Sequence, residues 1–247
     1  MKYNYQIIIE YLGANFAGWQ IQKNGKSIQG EIEKAVSKAL KSRIKIIGSG
    51  RTDAGVNAWG QSANFFHNEK IINLFKILTT INFYLNKKPI SIIKIKKKNA
   101  RFHARHNAKK REYEYIITNR IAKLSIDKNR SWLVKKKLDI SKMKKAAKFF
   151  IGNHNFSTFR SSSCTARTPV RTISKAIVKK KNDKVIITFA SRSFLQKQVR
   201  SMVGCLKYVG ENIWEPKKIK FLLKSKKRKF CAPPAPAHGL YLKKVFY

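Results

Sequence analysis

Apolar and polar residues alternate along YNYQIIIEYL (3–12), the period-two pattern of a half-buried strand. Over SIQGEIEKAVSKALK (27–41) the period changes to that of a helix. Ile28, Ile32, Ala35, Val36, Ala39 and Leu40 fall on one helical face, and Ser27 stands where an N-cap belongs. Strands are predicted near 43–48 and 58–66, a helix over 69–84 and a strand over 90–97. The order β-α-β-β-α-β is the split βαβ, or ferredoxin-like, arrangement.

The second half predicts the same order. REYEYIITN (111–119) reads as a strand and DISKMKKAAKFFIG (139–152) as a helix closing on a Gly C-cap. VRTISKAIVKKK and KVIITFA form a hairpin turning at Asn182-Asp183. A helix follows over 193–210, a shorter one over 216–224 and a closing strand over 239–247. CAPPAPAHG (231–239) reads as an ordered turn, because an apolar strand follows it. The halves share element order, not sequence. The expectation is an α+β protein of two ferredoxin-like halves with antiparallel sheets, residues 1–104 and 105–247, meeting near 98–110. A basic central cleft between the halves is the expected place for a ligand.

Composition narrows the partners. The 247 residues hold 55 Lys+Arg against 12 Asp+Glu, a formal charge of +43. With 43% hydrophobic and 11% aromatic residues the chain can bury a core, which excludes wholesale disorder. Lys, Asn and Ile are abundant, as an AT-rich genome produces, yet that bias does not explain the missing acids. So basic a chain attracts polyanions, nucleic acid first and an anionic membrane surface second. No apolar run approaches the roughly 20 residues that cross a bilayer, and MKYNYQIIIEYL carries no signal-peptide pattern. Cys164, Cys205 and Cys231 are odd in number, far apart in sequence and without ligand spacing, which argues against zinc and a disulfide framework. A reduced, cytoplasmic setting is the expectation.

The sharpest local feature is GSGRTDAGVNAWGQSANFF (48–66), in which Gly50, Gly55 and Gly60 surround one Arg51-Thr52-Asp53 between apolar strands. Asp53 has two readings here. It can cap its own loop as an Asx-turn, or it can be an ionised carboxylate, held by a neighbouring Arg, that acts as nucleophile or base. No His, Cys or Ser arrangement rivals it. The lysine runs at 96–98, 135–137, 179–181 and 226–229 read most simply as solvated charge.

SGRTDAGVNAWGQ resembles the active-site motif of the tRNA pseudouridine synthase A family, close to GRTDAGVHAxGQ. YLGANFAGWQIQ is similar to that family's YDGTxYxGWQxQ, and RFHARHNAKKREYEYII to its FHARFSAxxRxYxY. GNHNFSTFRSSSC with RTPVRTI, FLQKQVRSMVG and APAHGLYL follow in the family's order, so the resemblance spans Tyr5 to Tyr247. Position by position it implies that Asp53 is the catalytic nucleophile and that Arg51 helps extrude the target base. It implies that Tyr113 stacks on the uracil and that Arg200 pairs with the carboxylate. Leu12 replaces the usual Asp, Asn57 the usual His, and Gln196 and Gln198 the usual aromatic, His or Met residues, which puts positioning or stability in question rather than chemistry.

The implied reaction breaks the C1′–N1 bond of uridine, turns the uracil and forms a C1′–C5 bond. It is redox-neutral and needs no cofactor or metal. The carboxylate can attack C1′, assist glycal formation or add to C6, and the residues do not choose among these. The implied substrate is tRNA, at positions 38 to 40 of the anticodon stem-loop, bound by a homodimer. The competing class is a non-catalytic RNA-binding module of paired ferredoxin-like halves, which lacks its usual aromatic RNP1 signature here.

Overall fold

Strand β1 (Tyr3–Tyr11) buries Tyr5, Ile7, Ile9 and Tyr11 along one parity, as its alternation demands. The computed structural model describes residues 2–23 and 25–247. Contacts divide the chain into two units, Met1–Lys109 with Leu242–Tyr247, and Lys110–Tyr241. Each is an α+β assembly.

In the first unit, α1 (Ile28–Ala39) begins at Ser27, whose side chain accepts from the Gly30 amide. Ile28, Ile32, Ala35 and Val36 are buried, while Ala39 and Leu40 are half-buried at the frayed end. The strand expected over 43–48 shrinks to β2 (Ile47–Gly48). Its missing part has a physical cause. The Ile44 amide donates to Ser37 Oγ and the Ile46 amide to Glu33 Oε1, both at 2.9 Å, so side chains of α1 take donors a ladder would use. Next come β3 (Asn57–His67), α2 (Leu74–Leu85) and β4 (Ile90–Lys98). The second helix starts later than its pattern suggested, because Asn73 caps the Lys76 amide and the Ile71 amide is held by Tyr5 OH. β1 pairs antiparallel with β3 and β4, and β2 pairs antiparallel with β3.

A buried polar network closes this unit. Asn64 Nδ2 donates to Asn4 Oδ1 at 3.0 Å, and Asn4 Nδ2 donates to Phe102 O at 2.7 Å and Asn99 O at 3.0 Å. The Ala104 amide donates to Asn64 Oδ1 at 2.9 Å. Tyr247 OH donates to Ala104 O at 2.9 Å and lies 2.8 Å from Ser62 Oγ, whose hydroxyl can donate to it.

The second unit is built on β5 (Lys110–Asn119), with β6 (Trp132–Val134) parallel to its end. After α3 (Ile140–Lys148) come β7 (Gly152–Asn155), β8 (Val170–Lys181) and β9 (Lys184–Ser191). The pairings β5–β9, β9–β8 and β8–β7 are antiparallel. The strands β6 and β7 were not expected, and the parallel pairing of β6 departs from an all-antiparallel sheet. Asp139 caps α3, and the helix stops at Lys148 rather than at Gly152. The amides of Phe149, Phe150 and Ile151 turn to carbonyls three residues back, which tightens the chain and drives Phe150 into the core. Gly152 therefore opens a strand and does not cap a helix.

Helix α4 (Gln198–Gly210) begins five residues later than its pattern suggests. Lys197 is left-handed at φ 59°, and Gln198 Oε1 takes the Leu195 amide at 2.8 Å. Helix α5 (Lys218–Ser225) and β10 (Leu240–Phe246) complete the order, and β10 lies beside β3. Cys205 and Cys231 are remote in sequence, yet their sulfurs lie 3.5 Å apart as free thiols. Among the described residues no helix is long and apolar enough to cross a membrane.

Replacing Asn64 by Leu leaves the Ala104 N–H and Asn4 Oδ1 without these partners in the core. The expected loss is about 2–4 kcal/mol of unfolding free energy, read as a lower urea midpoint at unchanged slope.

Candidate functional site

The chain between β2 and β3 is pinned at several of its polar atoms. The Ser49 amide donates to Ser62 O at 2.7 Å, Ser49 Oγ donates to Gln61 Oε1 at 2.7 Å, and Gln61 Nε2 donates to Gly50 O at 2.9 Å. Thr52 is held twice. Its carbonyl accepts from the Trp19 amide at 3.1 Å, and its Oγ1 lies 2.8 Å from Tyr11 OH. The Val56 amide then closes a turn on Asp53 O at 3.2 Å. Asn57, fully buried, accepts the Gly13 amide on Oδ1 at 2.8 Å. In this chain, therefore, the amide next to Leu12 finds its acceptor in Asn57.

The anchors alternate with the residues of interest. Thr52 and Asn57 are buried, whereas Arg51 is exposed and Asp53 half-buried. Arg51 Nε donates to Gln20 Oε1 at 3.2 Å, so the 12–22 segment steers the guanidinium as well as the backbone. Gly18 makes the approach possible. Its φ is +109°, and a Cβ there would lie 2.7 Å from Thr52 O.

In the second unit Tyr113 sits on β5 opposite Phe189 and is 8% exposed. The Phe194 ring meets it edge-on at 5.3 Å. Arg200 lies on α4, where its Nε donates to Ala235 O at 2.7 Å and its carbonyl accepts the Ala235 amide at 3.0 Å. This reciprocal pair fixes the guanidinium against the 231–236 loop. Tyr115 OH donates to Pro236 O at 2.8 Å, and burial pushes its phenol well above the usual range although the Arg200 charge works the other way. Burial also lowers the His238 imidazole, a hydrogen bond with Ser131 opposes this, and Arg200 adds a smaller downward push. Tyr115 is thus a neutral phenol at pH 7.

Arg51 and Asp53 therefore share one turn of the first unit, while Tyr113 and Arg200 belong to the second, on β5 and α4. The supports Tyr11, Gln61 and Ala235 were not singled out from sequence, and Thr52 was noted only as part of the turn. Tyr11 had a signal, since it shares the buried parity of Ile7 and Ile9. The runs at 96–98, 135–137, 179–181 and 226–229 face solvent apart from half-buried Lys98 and Arg228. Among the described residues no group of three or more His, Cys, Asp or Glu gathers in a way that could hold a metal.

The sequence profile described as tRNA pseudouridine synthase matches residues 7–127 and 146–247, which include Arg51, Asp53, Tyr113 and Arg200. A Pelagibacter ubique protein named tRNA pseudouridine synthase A is 56% identical over 245 residues, 99% of this chain and 100% of its own length. Proteins of the same name from Parvibaculum lavamentivorans and Afipia carboxidovorans are 42% and 40% identical, each over 98% of this chain and over 98% and 99% of their own.

Gly18→Ala places a Cβ against Thr52 O in a backbone conformation that alanine resists. It should destabilise the protein by at least about 2 kcal/mol and loosen the Asp53 turn. Urea unfolding checks the first effect, and trypsin cleavage at Arg51, faster than in the parent protein under native conditions, checks the second.

Proposed function

Because this chain belongs to the tRNA pseudouridine synthase family, we propose that it isomerises uridine at positions 38 to 40 of the tRNA anticodon stem-loop, with Asp53 as nucleophile after the base is flipped. The enzyme class, an isomerase, follows from the full-length relatives and displaces the binding-only alternative. One observation carries the assignment of Asp53. Its neighbours Thr52 and Asn57 carry structural hydrogen bonds on either side, so the backbone around Asp53 is held in place. A carboxylate on so rigid a turn is positioned in advance, which is what nucleophilic attack requires.

The residues divide the work. Flipping costs a few kcal/mol of lost stacking, which Arg51 offsets by entering the vacated space and Tyr113 by stacking on the uracil. Asp53 then acts as the ionised carboxylate, with Arg200 as its counter-charge. The C1′–N1 bond breaks, the uracil turns within the pocket, and C5 joins C1′. The C5 proton leaves last, to the Tyr113 phenol or to a water it holds. Atoms and electrons balance within the nucleotide, so the scheme draws on no redox partner. We further assign the enzyme to the cytoplasm as a homodimer, a state that sedimentation equilibrium measures directly. Fold placement as two ferredoxin-like halves belongs to the same reading; the β4-β1-β3-β2 neighbour relations of the first unit support it there.

Asp53→Asn keeps the side chain's size and removes its charge. Single-turnover release of tritium from C5-labelled tRNA should become undetectable, with folding intact and tRNA affinity equal or higher. Activity within about tenfold of the parent would leave Asp53 as a turn residue only. Tyr113→Phe should retain tRNA binding and lose most turnover; a Phe variant as fast as the parent would reduce Tyr113 to a stacking role.

A further inference from the structure

The second unit also contains a cavity of about 270 Å³ lined by Ser157, Arg160, Ser161, Ser162, Lys226 and Arg228. Three cations and three hydroxyls face it, and none of these lining residues is acidic. Elsewhere in this chain acids are matched to nearby lysines and arginines, as in Glu112 with Lys175 and Asp183 with Arg120. Here the charges gather without a counter-charge. The side chains of Arg160 and Lys226 make no hydrogen bond or ion pair among the described residues.

The cavity has a rigid frame. Arg228 Nη1 donates to Thr158 O at 3.3 Å and to Ser201 Oγ at 3.2 Å, which holds the guanidinium at the cavity wall. Thr158 Oγ1 donates to Leu222 O at 2.6 Å, fastening the 157–159 turn to α5. The Ser161 amide donates to Gln196 O at 3.0 Å and its hydroxyl lies 3.0 Å from Ser163 Oγ. Lys226 is turned by a left-handed φ of 55° at the end of α5. The walls are thus tied to both α4 and α5.

Like charges held together on a fixed frame repel one another, and an anion relieves that repulsion. Arginine forks and hydroxyl donors match the tetrahedral oxygens of a phosphate. The volume lies just below the span of whole-molecule ligand pockets, about 300–1,000 Å³, so it suits one group rather than a nucleotide. We propose that this cavity is a phosphate-binding pocket that takes a backbone phosphodiester of the RNA substrate. The choice of RNA as the source rests on the function proposed above. Such a contact fixes the register of the RNA on the protein and carries no base information.

The test compares Arg160→Ala/Lys226→Ala with Lys179→Ala/Lys180→Ala, which removes the same charge from exposed positions on β8. Filter binding of tRNA over a salt series should show the pocket variant weakened about tenfold or more at moderate salt, with its log–log salt slope shallower by about one, the value for one phosphate contact. The control variant should stay near the parent in both. Inorganic phosphate, against chloride at matched ionic strength, should raise the unfolding temperature of parent and control but not of the pocket variant.

A pocket variant that binds tRNA with the control's affinity and slope overturns the proposal. If phosphate still protects the parent in that case, the pocket serves free phosphate rather than RNA. A parent protein that shows pocket-dependent tRNA binding but releases no tritium overturns the proposed reaction and leaves the pocket standing.

Discussion

The carbonyl oxygen of Val56 lies where a side chain on residue 13 would begin, 2.2 Å from the position a Cβ would take. That absence of space is the constraint from which the first unit's surface is built. Only glycine lets the 12–18 segment press onto the 52–56 turn. Because it does, the Gly13 amide reaches Asn57 and the Trp19 amide reaches Thr52. The turn between two strands would otherwise be a mobile loop of the usual kind. Instead its backbone is bonded on both sides, and Arg51 and Asp53 are carried on that frame.

Much of this was legible beforehand, and the reasons for success and failure are physical. Helix α1 announced itself because six apolar positions and a Ser cap pointed the same way. The Arg51-Thr52-Asp53 turn was visible as glycines between apolar runs. The segment 43–46 misled because Ile44 and Ile46 are buried, as strand alternation requires, while their amides answer to a helix. Periodicity reports which way side chains face; it does not report what the backbone bonds to. Strands β6 and β7 are three and four residues long, too short to establish a period. The start of α4 was hidden for another reason. Apolar residues continue upstream through Phe194 and Leu195, and only the left-handed Lys197 interrupts them. The supports of the candidate site came from distant strands, so no local pattern could have joined Tyr11 to Thr52.

The scarcity of acids gives the ones present distinct duties. Glu31 is buried beside Lys88, Glu112 meets Lys175, Glu211 meets Lys207, and Asp127 meets Lys184. Asp139 caps a helix. These acids neutralise particular lysines near the frame and leave the outer charge positive. The surplus is therefore a property of the surface rather than of the core, where the abundance of lysine has no outlet. Long-range attraction of a polyanion and short-range positioning of one phosphate are separate tasks, and the chain has residues of both kinds.

The placement of Leu242–Tyr247 in the first unit has a bearing on how the protein is made. Tyr247 bonds to Ala104 O and Ser62 Oγ, and its ring packs 4.9 Å from Phe102. A ribosome working from the amino end produces every residue of the second unit before it reaches these partners. The first unit, although synthesised first, must wait with β3 short of its neighbour β10 until residues 240–246 emerge. Exposed strand edges invite pairing with other chains. During that interval an edge of β3 stands without its neighbour and open to pairing with other chains.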